Sequence, residues 1–314
     1  MDRRTFIKSA SIGALALATE STIPAMANEQ TKGKPWKKSD KELFGRKPKG
    51  HFSILQLTSV TDTIGNSYIL TTHGGKVIVI DGGFESEQAN LRARLAEIGN
   101  HVHLWFITHP HQDHMGAFTE ILTNRQGITI DRVIYSRVPD AYLDLEPTNA
   151  ADARRYYKAI DSITEPTDVL NLHTTGGRFD IDGIGIMVLG VANPELTNNP
   201  YNNQSMIIRF WDDTKSLVIL GDAGIECGNK ALALYPDELN CDYMQMAHHG
   251  QNGCDEHFYK SIHFRACLWP TPSWVWEPAP QHAHLKTRET RRWMDEKGIT
   301  EHHASCLEKD WLLL

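Results

Sequence analysis

The 314-residue sequence has no C-x-x-C pair, no membrane-spanning run near its N-terminus and no excess of positive charge. Its five cysteines, Cys227, Cys241, Cys254, Cys267 and Cys306, are scattered over the C-terminal third, and an odd, dispersed set is not a disulfide framework. The apolar stretch from Ala10 to Ala18 is too short and too weakly hydrophobic to serve as a stable membrane anchor. No cysteine follows it to carry a lipid. A formal net charge of −7 supplies no general electrostatic reason to bind nucleic acid, because that affinity rests on neutralising phosphates. A local basic groove stays open as an alternative.

What is present at the N-terminus is an arginine pair, Arg3-Arg4, followed by the apolar stretch and then Ala25-Met26-Ala27. This layout is that of a cleavable export signal for the twin-arginine (Tat) machinery. The expected mature chain starts near Asn28 in a periplasmic or extracellular setting. Arg3, Arg4 and Lys8 exceed Asp2 and Glu20 by one, so the remainder carries about −8. Tat export moves proteins already folded in a reducing compartment, which argues further against disulfides and is consistent with a metal acquired before export. Residues 28 to 50 are lysine-rich and poor in apolar residues, and they read as a linker.

From residue 51 to 314 the pattern is α/β, and the length fits one large domain or two small ones. Short β-branched runs, "FSILQLTS", "SYILTT" and "KVIVIDGG", are separated by turn residues, and "ESEQANLRARLAEIG" reads as a helix closed by Gly99. A further strand, "HVHLWFIT", runs into "HPHQDH", and "MGAFTEILTN" has helical spacing. Residues 137 to 176 read as an irregular insertion with one helix, "AADARRYYKAIDSI", either a flap over the cluster or a plain surface insertion. The second half repeats the scheme, with strands ending at Asp222 in "LVILGDAG" and at His248-His249 in "MQMAHHG". Two similar β-rich halves flanked by helices predict two sheets packed face to face with helices outside.

The cluster from His109 to His114 has the spacing H-x-H-x-D-H. In an extended loop His109 and His111 point the same way, while Asp113 and His114 turn toward a neighbouring position. Histidine and carboxylate at these offsets suit a binuclear site for zinc or a similar divalent ion. Asp222 and the His248-His249 pair, each at the end of an apolar strand, are the candidate partners. Strand alternation favours His248 over His249.

These segments resemble the metallo-β-lactamase fold hydrolases. "THPHQDHMGA" matches their H-x-H-x-D-H signature, "GNSYILTTHGGKVIVIDGG" is similar to the strand pair and D-G-G turn before it, and "ILGDAG" is similar to their bridging-aspartate strand. "NNQSMIIRFWDDTKSLVILGDAGIECGNKAL" with "DYMQMAHHGQNG" is most similar to the ComEC-type subgroup. The resemblance implies a four-layer αβ/βα metallo-β-lactamase sandwich and two divalent metal ions, zinc by default with manganese or iron as alternatives. It implies His109, His111 and Asp222 at one metal, and Asp113, His114, Asp222 and His248 or His249 at the other. Many members carry a histidine where "QSMIIRF" begins, whereas Asn202 is nearest that position here. His173 is too far upstream to substitute.

The implied chemistry is hydrolysis by a metal-bound hydroxide. Asp113 counts among the catalytic residues as well as among the ligands. His284, in "APQHAHLKT" with His282, fits the place of the leaving-group proton donor in the subgroup, or is a surface histidine. Trp269, Trp274 and Trp276 either line a cleft or cover the core edge, and His302-His303 are expected to be exposed. A small-molecule or polymer phosphodiester is the first substrate class, with nucleic acid open but not favoured by net charge. A lactone, thioester or β-lactam hydrolase is the alternative. A metal-binding or scaffolding protein with a residual site, motivated by Asn202, is the reading from another class.

Overall fold

A computed structural model describes residues 50–314, and the expected export signal and nearly all of the linker lie outside them. The first sheet is built from β1 (Phe52–Gln56), β2 (Ser67–Thr72), β3 (Val77–Asp81), β4 (His101–Phe106), β5 (Thr129–Tyr135) and β6 (Asp168–Asn171). The second contains β7 (Arg178–Ile181), β8 (Ile184–Gly190), β9 (Ile207–Trp211), β10 (Ser216–Ile219), β11 (Tyr243–Gln245), β12 (Ala266–Trp269) and β13 (Glu301–Ala304). The last strand, β14 (Trp311–Leu313), returns to the first sheet and pairs antiparallel with β1. The two orders are β14-β1-β2-β3-β4-β5-β6 and β13-β12-β11-β10-β9-β8-β7. Each sheet is antiparallel on one side and becomes parallel at β3-β4 or at β10-β11.

Strand periodicity assigns the layers. Along β3, Ile78 and Ile80 face the opposite sheet, while Val77 and Val79 face helices. Along β10, Leu217 and Ile219 face the first sheet, and Val218 faces the outer helices of the second. Strands buried on both faces read as continuous apolar runs, which is what "KVIVI" and "SLVIL" are. Outside the first sheet lie α1 (Gln88–Glu97), α2 (Gln112–Thr123) and α3 (Ala150–Asp161). Outside the second lie α4 (Ile225–Leu234), α5 (Glu256–Ser261), the short α6 (Ser273–Trp276) and α7 (Thr287–Glu296). The result is the four-layer αβ/βα sandwich that the pattern of halves predicts.

Three expectations are adjusted. The insertion over 137 to 176 includes the edge strand β6, which is four residues long and only half-buried, so it carries little apolar signal. His302 and His303 lie on β13 and are half-buried: the indole Nε1 of Trp269 donates to His302 Nδ1 at 3.1 Å, and the His303 ring stacks on Trp311 at 4.3 Å. Of the three tryptophans, Trp269 is fully buried and Trp276 packs edge-on against it at 5.4 Å, so only Trp274 is exposed. All five cysteines are unpaired. Among the described residues no helix is long and apolar enough to cross a membrane.

The cluster-bearing helix α2 is seated by a close approach at Gly116, where an added Cβ would come within 2.5 Å of the Glu85 backbone nitrogen and 3.0 Å of the Phe84 carbonyl carbon. Backbone cannot retreat as a flexible side chain can. Gly116→Ala is therefore expected to destabilise the fold by about 1–3 kcal/mol through overpacking, measured as a lowered midpoint in urea or thermal unfolding. An unchanged midpoint would show that α2 shifts freely.

Candidate metal centre

Three strand ends, those of β4, β10 and β11, deliver the site. The chain leaves β4 as an extended segment carrying His109 and His111, and α2 starts inside the cluster, because the His111 carbonyl accepts from both His114 N and Met115 N at 3.0 Å. The change from extended to helical backbone is what turns Asp113 and His114 away from the first two histidines. Asp222 follows β10 across the sandwich. Asp113, His114, Asp222 and His249 form one group of converging ligand-type atoms, and His109, His111 and Asp222 form a second. His109, His114, Asp222 and His249 are each at most 2% exposed.

Asp222 joins the two groups. Its Oδ1 is 3.1 Å from His114 Nε2, and its Oδ2 is 3.2 Å from His249 Nε2 and 3.9 Å from His109 Nε2. Asp113 Oδ2 is 3.0 Å from His249 Nε2 and 3.5 Å from His114 Nε2. In the first group, His109 Nε2 faces His111 Nδ1 at 3.0 Å.

The far nitrogens of these rings are tethered, and the tethers show which atom faces inward. His114 Nδ1 lies 2.7 Å from the buried Asp81 Oδ2, whose carboxylate also accepts from Thr108 N and Thr108 Oγ1 at 2.8 Å. His249 Nδ1 donates to the Pro270 carbonyl at 3.0 Å. His109 Nδ1 contacts Thr108 Oγ1 at 3.1 Å. His111 Nε2 lies 2.8 Å from Glu146 Oε2. Glu146 belongs to the insertion, and it also accepts from Tyr201 N at 2.8 Å and from Asn149 Nδ2 at 2.9 Å. Carboxylates and carbonyls behind metal-binding imidazoles fix the tautomer and the ring direction. Here they leave Nε2 of His109, His114 and His249, and Nδ1 of His111, as the inward lone pairs.

The His248-His249 pair corrects one expectation. Strand alternation does not apply there, because β11 ends at Gln245 and the pair lies in a tight turn with His248 at φ 52, ψ 50 and His249 at φ 57, ψ 23. Gly250 follows at φ 76 with Trp269 packed where a Cβ would be, so only glycine fits. His249, rather than His248, stands against Asp113. His248 is turned to the other side of Asp222, its Nε2 3.9 Å from Oδ2 and 3.4 Å from Asn202 Nδ2.

Electrostatics follow from burying so many groups together. Burial opposes the charged form of every member. For His114 the neighbouring carboxylates Asp222, Asp113 and Asp81 outweigh it and raise the pKa well above the usual value. Burial likewise opposes His249, but Asp222 and Asp113 push it up to about 9. Asp222 goes the other way: burial raises its pKa, yet His114 and His249 hold it well below the usual carboxylate range. Burial drives His109 and His248 down, aided by other histidines. Without a cation, protons on His114 and His249 balance two buried carboxylates.

The donor set fits divalent cations. His114 Nε2 and Asp222 Oδ1, though 3.1 Å apart, are not aligned for a hydrogen bond. An unsatisfied buried polar atom costs about 1–3 kcal/mol, so these atoms are held in place for something else to satisfy. Imidazole nitrogens and carboxylate oxygens suit zinc, manganese or iron. The structure does not bring every expected residue here. His284 is exposed, its ring neighbour is His282 at 6.0 Å, and none of the contacts of the cluster reaches it. His173 lines a separate cavity of about 900 Å³ with Lys230 and Tyr235.

Glu146 and Asp81 are the supporting residues that motif reading misses. Asp81 has a signal, since it opens the D-G-G turn. Glu146 has none, because 35 residues separate it from His111. Removing such a support costs roughly 10–100-fold in metal affinity. Glu146→Ala is expected to weaken one of two metals by that factor, read by chelator competition, and to spare the other. Equal weakening of both, or of neither, would contradict the role of Glu146 at His111.

Comparison with known proteins agrees with this geometry. Residues 60–183 match the model of the metallo-beta-lactamase superfamily. No curated protein matches the chain. Among solved structures, the metallo-beta-lactamase fold protein YhfI from Bacillus subtilis is similar, with 12% identity, a TM-score of 0.53, and coverage of 84% of this chain and 99% of that one. CmlA, a diiron beta-hydroxylase from Streptomyces venezuelae, is 13% identical with a TM-score of 0.53, covering 83% of this chain and 54% of that one. The chain thus spans about half of CmlA, and at these identities the likeness is one of fold. The chain has the αβ/βα metallo-beta-lactamase fold, and the family model matches its first half.

Proposed function

We propose that the chain is an exported metal-dependent hydrolase acting on a phosphodiester-type substrate. The observation that carries this reading is the single carboxylate, Asp222, shared by two groups of inward-facing ligand atoms. Two bound divalent cations would supply a Lewis-acidic pair that acidifies water and polarises the phosphoryl group, making its phosphorus open to attack. The chain's own residues set the geometry of that chemistry. Asp222 spans the two positions, Asp81 and Pro270 orient His114 and His249, and Glu146 orients His111. Tyr201, fully buried, packs its ring 5.2 Å from that of His111.

The phosphodiester assignment is supported by the resemblance of "NNQSMIIRF" and "DYMQMAHHG" to the ComEC-type subgroup. The excess of negative charge supports a small or non-nucleic phosphodiester over a long nucleic acid. Export by the Tat machinery rests on the Arg3-Arg4 signal, outside the described residues. Lactone, thioester and β-lactam hydrolysis are the outcomes that would replace the substrate assignment.

With purified protein loaded separately with zinc, manganese or iron, bis(p-nitrophenyl) phosphate is expected to be preferred over nitrocefin and homoserine lactones by about tenfold or more in kcat/KM, equivalent to about 1.4 kcal/mol. Asp222→Ala is expected to lose that activity. The reverse ranking would overturn the substrate class. Activity unchanged in Asp222→Ala would overturn the hydrolase reading.

A further inference from the structure

We propose that His248 supplies the third nitrogen of the first metal position, taking the place of a histidine at position 202. The inference rests on the reading of His109, His111, Asp222 and their partners as a two-metal centre. It assigns the two adjacent histidines to different metals, His249 to the second and His248 to the first.

The backbone carries the first part of the argument. Two consecutive non-glycine residues in the left-handed region, His248 and His249, cost of order 1–3 kcal/mol each and persist only where the surroundings over-determine them. In a strand the two side chains would point to opposite faces. The left-handed turn instead sets the rings 5.9 Å apart on either side of one carboxylate. His249 Nε2 is 3.2 Å and His248 Nε2 is 3.9 Å from the same Asp222 Oδ2, and His109 Nε2 is also 3.9 Å from that oxygen. Ligand atoms at about 2.0–2.1 Å from one tetrahedral metal stand roughly 3.4 Å apart. His248 Nε2 is therefore about half an ångström beyond that separation from Asp222 Oδ2, and because it stands outside the group of His109, His111 and Asp222, its ring must also turn toward them to share their cation.

Asn202 carries the second part. It is 4% exposed, so it occupies the position without being a surface substitution. Its Nδ2 donates to Asn199 Oδ1 at 2.9 Å and faces His248 Nε2 at 3.4 Å. An amide N–H facing Nε2 meets that nitrogen as an acceptor, which is the tautomer a metal requires. Imidazole is the stronger ligand for zinc and similar ions, and here a ring reaches the vacated position from the other strand end. In the metal-free chain Asn202 thus occupies that lone pair as a weak donor, and it yields the nitrogen to a cation rather than serving as a ligand itself.

The test is a metal count on the full chain by mass spectrometry after dialysis, with dissociation constants from chelator competition. His248→Phe keeps the ring volume and removes the lone pair, and Asn202→Ala removes the amide. Wild type and Asn202→Ala are expected to hold two metals, and His248→Phe to lose or weaken one by at least about tenfold, since even an outer-shell partner is worth that much. The retained metal shows that the variant is folded, and adding Asn202→His to His248→Phe is expected to restore the second. Two metals at wild-type affinity in His248→Phe, or loss of one in Asn202→Ala alone, would overturn the assignment and leave the two-metal reading standing. Wild type without metal would overturn both.

Discussion

The arrangement depends on one buried carboxylate. Asp222 is 1% exposed and surrounded by His109 and His114 from the segment after β4 and by His248 and His249 from the turn after β11. A buried anion is costly unless charge and hydrogen bonds compensate it. In the metal-free chain the compensation comes from protons on His114 and His249, which the carboxylates hold there. A cation does the same work with stronger and more directional contacts. Metal and proton therefore compete for the same lone pairs, a coupling general to sites of this kind.

Around that carboxylate the fold acts as a frame. Both sheets change from antiparallel to parallel pairing near their middle, and β4 and β11 are the strands just beyond those changes. Parallel strands all end on one side, so the segments following β4, β10 and β11 meet at a common edge of the sandwich. The apolar layer between the sheets, with Ile80 and Phe106 on one side and Ile219 on the other, holds those ends at fixed separation. Polar residues at the carboxyl ends of strands are where α/β folds build sites. The insertion after β5 adds the last piece, bringing Glu146 to His111 and ordering the Tyr201 backbone.

Much of this was legible in the chain. The layers were legible because strands buried on both faces must read as continuous apolar runs, as "KVIVI" does. The cluster from His109 to His114 was legible because its four ligand-type residues are local, and Asp222 because it follows an apolar strand. What could not be read depends on backbone conformation or long-range contact. Parity misled at His248 because the strand stops at Gln245 and a left-handed turn takes over. Glu146 sits in a segment with no periodic signal, and its role exists only through a contact across 35 residues. The burial of His302 and His303 depends on Trp269 and Trp311, which no local pattern connects to them.

The central claim is that Asp222 lies between two cations. Anomalous diffraction from crystals of the zinc- or manganese-loaded full chain tests it most directly. The account predicts two peaks flanking Asp222, one at bonding distance from His109 Nε2 and His111 Nδ1 and the other from His114 Nε2 and His249 Nε2. A single peak, or peaks that leave Asp222 outside the coordination of either ion, would contradict it.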